Sequence, residues 1–364
     1  MPPSFRRHIG QLVVAGFSGT SLPIELRELA REFDLGGVVL FSRNIEAPLQ
    51  VAEVAYAAQQ LGVETPLWVS VDQEGGRVQR LRAPYTEWPP LSTLGRSADL
   101  ELTKRFARAL ARELRVVGVT LDYAPVLDVN TNLDNPVIGD RAISTNSEEV
   151  AMHGAAIVRA LQEEGVAACG KHFPGHGDTD LDSHHDLPVV RHEAARIREV
   201  ELLPFRAAID AKVATLMTAH VLYPAFDDEV PATLSASVVT GLLRNELQFD
   251  GLIVTDDMRM GAIGKYRDTA EASVQAVAAG CDMVLLCGDD VGRQMEVIEA
   301  LIHAVEDGKL SERRVEDALA HQRCTKERFL SGAKTWHPPD ERVLRNEIGG
   351  LEHHRIAEEM RRRL

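Results

Sequence analysis

The segment from 171 to 188 concentrates ionisable side chains. It opens with Lys171 and His172 and then carries four aspartates and three further histidines. Asp182 and His184 are two residues apart, so their side chains share one face of an extended segment. A carboxylate beside an imidazole fixes the tautomer of the ring and gives a proton donor and acceptor that works near neutral pH. This spacing indicates acid–base catalysis.

A second chemical group ends the apolar run at 251–258. Asp256 continues the run and is expected to point toward a site, whereas Asp257 points away because side chains alternate along a strand. A carboxylate in this position can attack the anomeric carbon of a sugar. We therefore predict Asp256 as a nucleophile and Asp257 as its structural neighbour.

A metal site and a solvated polar loop are the alternatives for the 171–188 segment. The alternating aspartates at 178–182 imitate the start of an EF-hand loop, but Ser183 and Val189 stand where that loop needs Gly and Glu. His184 and His185 are adjacent and lack the four-residue spacing of a helical zinc pair. We therefore expect no metal and no cofactor.

Eight short apolar runs alternate with helical patterns along the chain. They lie at 12–17, 37–41, 67–72, 119–123, 166–170, 215–220, 252–256 and 283–287. Near-continuous apolar runs are typical of strands buried on both faces of a parallel sheet. Eight of them predict an α/β protein with a closed (β/α)8 TIM-type barrel, with an open doubly wound sheet as the alternative. No strand precedes a Gly-x-Gly-x-x-Gly turn, so a dinucleotide site lacks support.

Ionisable residues end five successive predicted strands. They are Asp72, Asp122, Lys171 with His172, His220 and Asp256. Active sites of such barrels lie at the C-terminal ends of the strands. We therefore expect these residues to surround one mouth, together with the long loop that follows the fifth strand.

Helical patterns define the rest of the chain. An apolar stripe from 102 to 117 predicts a helix that ends at Gly118, and Thr145 with Glu148 predicts a capping box for the next helix. After a further helix to about 330, residues 331–339 resemble a linker and 340–364 one or two surface helices. We expect a catalytic barrel over residues 1–330, followed by a linker and C-terminal helical tail over residues 331–364.

Composition restricts the class of protein. The 364 residues carry a formal charge of −15, with 45% hydrophobic and 26% charged residues, which excludes disorder, collagen and coiled coil. The acidic balance argues against nucleic acid and anionic lipid as partners. Four cysteines do not form a disulfide scaffold, and residues 6–17 resemble a signal peptide only faintly. We expect a cytoplasmic monomer without membrane insertion that binds a small molecule.

Several stretches together resemble glycoside hydrolase family 3, in its single-domain bacterial β-N-acetylhexosaminidase branch. They are 71–80 (VDQEGGRVQR), 124–129 (APVLDV), 137–141 (VIGDR), the 171–188 loop, His220 with the following Pro-Ala pair, and 255–258 (TDDM). The resemblance runs from 10 to about 287, and the loop is its most specific part. It implies a (β/α)8 barrel and a retaining β-N-acetylglucosaminidase.

The resemblance also implies roles for single residues. Asp256 is similar to the nucleophile of the family, His184 to its acid/base and Asp182 to the dyad partner of that histidine. The residues that resemble the sugar-binding set are Asp72, Arg80, Arg141, Lys171 and His172. The implied substrate is N-acetylglucosamine linked to 1,6-anhydro-N-acetylmuramic acid, with or without peptide, from cell-wall recycling.

Other interpretations of the same residues stay open. Arg80 and Arg141 could form structural salt bridges, and His172 could be a hydrogen-bonded core histidine. A phosphorylase would use the same residues with phosphate as the acceptor. A metal-dependent hydrolase and a non-catalytic sugar-binding protein are the remaining alternatives.

Overall fold

The computed structural model describes residues 3–265 and 267–364. Within these residues the strands are β1 (Val13–Ala15), β2 (Gly37–Leu40), β3 (Trp68–Val71), β4 (Gln73–Gly75), β5 (Val78–Gln79), β6 (Leu121–Asp122), β7 (Ala167–Phe173), β8 (Thr215–Thr218), β9 (Leu252–Asp257) and β10 (Met283–Leu286). Eight strands close into a parallel barrel in the order β1-β10-β9-β8-β7-β6-β3-β2, while β4 and β5 form a separate antiparallel hairpin. The predicted (β/α)8 barrel is confirmed, and each barrel strand overlaps one of the eight apolar runs.

Helices connect the strands and cover the barrel. They are α1 (Pro3–His8), α2 (Ile24–Phe33), α3 (Pro48–Gln59), α4 (Ser92–Ser97), α5 (Leu100–Val116), α6 (Ser147–Glu163), α7 (Ala194–Glu199), α8 (Leu202–Asp210), α9 (Gly261–Gly264), α10 (Thr269–Ala279), α11 (Val291–Glu306), α12 (Glu312–Leu330), α13 (Glu341–Glu347) and α14 (Leu351–Arg361). A π-helix, Ser237–Glu246, lies between β8 and β9. This alternation follows from the parallel sheet, because parallel neighbours need a crossover connection.

The core has two layers that follow the alternation of side chains along each strand. Leu252 and Val254 of β9 belong to a cluster made mainly of strand residues, which fills the barrel. Ile253 between them belongs to a larger cluster that also contains helix residues such as Phe106. The β9 strand is therefore apolar on both faces. Each fully buried side chain as large as valine or leucine contributes about 1.5–3 kcal/mol to stability.

Capping residues set the ends of the helices. Asp99 precedes α5 and accepts hydrogen bonds from two backbone amides of its first turn, one of them that of Leu102 at 3.1 Å. Gly118 follows α5 with a φ of 79°, which confirms its predicted place after the helix. The predicted capping box at Thr145 is wrong: Asn146 caps α6, because its side chain reaches the first-turn amides.

The C-terminal helices pack against the barrel. α13 buries Leu344, and α14 buries Ile356 and Met360, while both helices contact α5. The helices expected at the surface are present, and each has one buried face. The assignment of 1–330 and 331–364 as separate regions stays a prediction.

The β4–β5 hairpin was not predicted from the sequence. Gly75 ends β4 and Gly76 begins the turn, with φ values of 104° and 60°, a region that favours glycine. A Cβ atom at Gly75 would lie 2.6 Å from the carbonyl oxygen of Pro89, so the turn requires close backbone approach. The hairpin directly follows β3 and therefore stands at the mouth of the barrel.

Candidate active site

The C-terminal ends of the strands surround a cavity of about 250 Å³. Seven of the eight residues predicted for the site line it: Asp72, Arg80, Arg141, Lys171, His172, His184 and Asp256. The eighth, Asp182, contacts His184 through its carboxylate. Three of the five predicted strand ends, those at Asp72, Lys171 with His172, and Asp256, therefore meet the long loop at one cavity, whereas Asp122 and His220 do not line it.

A network of buried ion pairs forms one wall of the cavity. The Lys171 amine lies 2.8 Å from Asp72 Oδ1 and 2.7 Å from Glu74 Oε1. Arg141 binds Glu74 with two parallel bonds of 2.9 and 2.8 Å, and Arg80 lies 3.2 Å from Asp72 Oδ2. The structural salt bridges considered for both arginines are thus present, and both side chains still line the cavity.

The charges of this wall support one another. Burial alone would raise the pKa of Asp72, but the nearby Lys171 and Arg80 cations hold it below its ordinary value. Burial would lower the pKa of Lys171, but Asp72 and Glu74 raise it. The wall therefore offers fixed charges to a ligand, with carboxylates that accept from hydroxyl groups and cations that donate to them.

His172 is held from behind by Asp128. The His172 Nδ1 atom lies 2.7 Å from Asp128 Oδ2, and the His172 and His176 backbone amides donate to Asp128 Oδ1 at 3.1 and 2.6 Å. Because the carboxylate only accepts, Nδ1 carries the proton and Nε2 is left for another partner. His172 is thus a hydrogen-bonded histidine, as the alternative stated, and it also lines the cavity.

Asp256 and Asp257 have different surroundings. Burial raises the pKa of Asp256, but His172, His220 and the Asp257 amide outweigh it and hold the pKa below its ordinary value. Asp257 Oδ1 accepts from the backbone amides of Arg259 and Cys287, each at 3.2 Å, and burial raises its pKa. Asp256 is ionised at the cavity. Asp257, which was expected to point away, also lines the cavity, but its carboxylate ties β9 to the end of β10.

The loop after β7 brings Asp182 and His184 to the same cavity. Asp182 Oδ1 accepts from the His184 backbone amide at 2.8 Å and lies 2.7 Å from its Nδ1. The imidazole is 60% exposed, so it is open to a ligand on its other side. Burial alone would raise the pKa of Asp182, but its hydrogen bonds with His184 outweigh this effect and hold the pKa below its ordinary value. The carboxylate therefore stays ionised beside the ring.

The tip of this loop rests on the connection that follows β9. The backbone amides of Gly261 and Ala262 donate to the carbonyl oxygens of His184 and Ser183, both at 3.1 Å. A Cβ atom at Gly261 would lie 2.7 Å from the His184 oxygen, so this contact requires glycine. The residues that directly follow the strand of Asp256 therefore also hold the loop that carries His184.

Two further histidines, which were not among the predicted site residues, shape the site. His176 is buried between Thr179 Oγ1 at 2.8 Å and Ser183 Oγ at 2.9 Å, and burial lowers its pKa to about 4. It therefore stays neutral and braces the loop internally. His220 is buried against Thr233 and the backbone of β9, and burial lowers its pKa.

Residue-level prediction missed several functional neighbours. Glu74 and Asp128 orient the predicted binding residues, yet they lie inside the 71–80 and 124–129 stretches that carry the resemblance. Phe41 lines the cavity with Arg80 stacked 5.2 Å from its ring centroid. The only signal for Phe41 was its place at the end of the second apolar run.

The described residues form neither a metal site nor a membrane-spanning helix. Within 3–265 and 267–364, no three His, Cys, Asp or Glu side chains are arranged to hold a metal ion. In the same part of the chain, every helix is too short or too polar to cross a membrane. All four cysteines are free thiols.

Comparison with proteins of known sequence gives related enzymes. β-Hexosaminidase from Nitrosomonas eutropha is 41% identical over 261 residues, which cover 70% of this chain and 74% of that protein. β-Hexosaminidase A from Pseudoalteromonas piscicida is 36% identical over 327 residues, covering 83% of this chain. The chain spans only 54% of this second, longer relative.

Solved structures give the same result. A glycoside hydrolase family 3 β-N-acetylglucosaminidase from Paenibacillus sp. superimposes with a TM-score of 0.92 and 41% identity, covering 98% of this chain and 68% of that one. NagZ from Neisseria gonorrhoeae, in complex with N-trifluoroacetyl-D-glucosamine, gives 0.78 and 29%, covering 95% and 96%. The sequence model of the glycosyl hydrolase family 3 N-terminal domain matches residues 4–323. The chain therefore belongs to glycoside hydrolase family 3.

Proposed function

We propose that the chain is a retaining exo-β-N-acetylglucosaminidase that releases terminal β-linked N-acetylglucosamine. The observation that carries this proposal is the meeting of Asp256 and His184 at one small cavity, although they lie on different elements. The volume of about 250 Å³ is below the range of about 300–1,000 Å³ that is typical of drug-sized ligands. It suits one sugar ring and favours cleavage at the end of a glycan.

Asp256 serves as the nucleophile in this proposal. Its carboxylate is ionised, and the amide of Asp257 holds one oxygen at 2.8 Å. The other oxygen attacks the anomeric carbon, the bond to the leaving oxygen breaks, and a glycosyl-enzyme forms. Water then attacks the same carbon and restores the carboxylate, so two inversions give net retention.

His184 serves as the acid and then as the base. Its Nδ1 is held by Asp182, so the Nε2 side protonates the leaving oxygen and later removes a proton from water. Most retaining enzymes place a second carboxyl group about 5–5.5 Å from the nucleophile. A neutral imidazole base avoids a second negative charge beside Asp256 during hydrolysis.

The ion-pair wall binds the sugar in this proposal. Asp72 and the free Nε2 atom of His172 accept from hydroxyl groups, while Arg80, Arg141 and Lys171 donate to hydroxyl oxygens and to the acetamido group. These groups are held by buried partners before the substrate arrives, which reduces the entropy lost on binding.

The biological setting is proposed on the family membership. The substrate we favour is N-acetylglucosamine linked to 1,6-anhydro-N-acetylmuramic acid, with or without peptide, processed by a monomer in the cytoplasm during cell-wall recycling. Four free thiols are in keeping with a reducing compartment. We also propose that residues 1–330 form the catalytic barrel and 331–364 an appended tail.

Mass spectrometry after incubation with a 2-fluoro sugar analogue tests the mechanism. We expect the intact protein to gain one glycosyl mass and the peptide that contains Asp256 to carry it, whereas Asp256→Asn gains none. A label on another carboxylate, or none with active enzyme, contradicts the assignment. Product analysis with and without phosphate separates hydrolysis from phosphorolysis.

A further inference from the structure

One buried carboxylate links the C-terminal tail (331–364), through the 82–90 segment, to the ion-pair wall described above, which is called the sugar-binding wall from here on. Glu113 of α5 is 2% exposed and accepts from His353 Nδ1 at 2.8 Å and from the Gly349 amide at 2.9 Å, both in the C-terminal region. It also accepts from the Thr86 amide at 3.0 Å and the Thr86 hydroxyl at 2.6 Å. One side chain thus binds the tail and the 82–90 segment together.

The 82–90 segment in turn clasps the β4–β5 hairpin. The Trp88 carbonyl oxygen accepts from the Gly76 amide at 2.8 Å and from Gln79 Nε2 at 2.9 Å, and the Trp88 amide donates to Gln79 Oε1 at 3.0 Å. The Trp88 ring is buried and lies 6.1 Å from the His353 ring. The hairpin has little freedom to move unless this segment moves with it.

The hairpin carries the charges that orient the cations of the wall. Glu74 lies on β4 and holds both Arg141 and Lys171, and Asp72 directly precedes β4. We infer that the C-terminal tail positions the sugar-binding wall through His353 and Glu113, so that His353 is a positioning residue for substrate binding. This inference rests on the proposed function only for the identity of the bound sugar.

The physical reason is continuity of contacts between rigid parts. Loss of the imidazole leaves Glu113 with one donor fewer and removes the ring that packs on Trp88. A buried carboxylate that loses a donor rearranges with its remaining partners, here Thr86 and Gly349. The displacement reaches the hairpin and not Asp256 or His184, which are supported by β9 and α9. The effect should therefore fall on binding and spare the chemical step.

Steady-state kinetics of His353→Ala with 4-nitrophenyl N-acetylglucosaminide provides the test. We expect KM to rise about fivefold, the change in affinity that corresponds to the net free energy of one hydrogen bond. The value of kcat should stay within about twofold of the wild type. His353→Asn, which restores a donor near the Nδ1 position, should recover most of the KM. The matched control is His354→Ala, the exposed neighbour on the same helix, which should leave both constants unchanged.

Hydrogen exchange of the 72–81 segment gives a readout that does not depend on activity. We expect faster exchange there in His353→Ala than in His354→Ala, with unchanged exchange in 252–262. If His353→Ala does not fold, Thr86→Val breaks the same link at its other end and should give the same shift. The inference would be overturned if His353→Ala showed faster exchange in the tail but kept wild-type kinetics and wild-type exchange in the hairpin. A wild-type protein that hydrolyses no N-acetylglucosaminide refutes the proposed function, while the exchange result still decides this inference.

Discussion

A single methyl group placed at Gly261 should separate the two halves of the proposed catalytic pair. In Gly261→Ala the new Cβ would lie 2.7 Å from the His184 carbonyl oxygen and 2.8 Å from that of His185. Ordinary C···O contacts begin at about 3.3 Å, so the loop tip must retreat by about 0.6 Å. That movement also stretches the two hydrogen bonds that the Gly261 and Ala262 amides donate to the loop.

The expected magnitude follows from the role of His184. General acid catalysis contributes about 10²–10⁴-fold, and a displacement of about 1 Å can remove about 10²-fold of rate. We therefore expect kcat/KM to fall about 10- to 100-fold for a substrate whose leaving group is a sugar hydroxyl. For a 4-nitrophenyl glycoside the loss should stay within a few fold, because that leaving group needs little protonation.

The assay compares both substrates across four proteins: wild type, Gly261→Ala, His184→Ala and the double variant. His184→Ala sets the largest loss that loop displacement can cause, so the double variant should be no worse than His184→Ala. Gly264→Ala is the control, since its Cβ would lie 3.3 Å or more from its neighbours. Equal losses on both substrates, or additive losses in the double variant, would refute the reasoning.

Four further outcomes are expected. Asp256→Asn should abolish turnover with an unchanged melting temperature, and measurable hydrolysis at near wild-type rate would contradict its role. Glu74→Ala should lower the free energy of unfolding by about 3–5 kcal/mol in urea titrations, because it leaves the buried Lys171 and Arg141 without a shared partner. The lowered pKa of Asp256 keeps it ionised, so the acid limb of kcat/KM against pH should lie below the ordinary pKa of an aspartate, and an acid limb clearly above that ordinary value would contradict this assignment. Lys326 is buried against the neutral side chain of Gln11, and burial lowers the pKa of Lys326 to about 7. Between about pH 7 and 10.5 the unfolded chain therefore binds more protons than the folded protein, and the free energy of unfolding should rise with pH. In urea titrations, Lys326→Met should be more stable than the wild type at pH 7 and should lose this rise.

The fold was accessible from the sequence because its signal is local. Most barrel strands are short and apolar on both faces, as the runs at 37–41 and 252–256 show, and helical patterns lie between them. Once these strands close into a barrel, the rule that their C-terminal ends share one mouth places Asp72 and Asp256 together. This rule can be applied without knowing any contact between residues that are distant in sequence.

The supporting residues were not accessible because their partners are remote. Glu74 binds Arg141 from 67 positions away, and Glu113 binds His353 from 240 positions away. Nothing in the local pattern distinguishes these carboxylates from surface acids. The position of the α6 cap failed for another reason: Thr145 and Asn146 are both good caps, and the choice between them depends on the backbone that enters the helix.

The division of labour within the site follows from these two kinds of support. Asp256 lies one residue before the end of β9, and five and six residues later the amides of Gly261 and Ala262 hold the loop of His184, so nucleophile and acid share one short connection. The sugar-binding wall depends instead on the hairpin after β3 and, through Glu113, on the tail. Because the two supports lie on different strands of the barrel, a change in one should alter turnover and a change in the other should alter affinity. Substitutions near the tail could therefore tune which sugars bind without changes to the reacting groups.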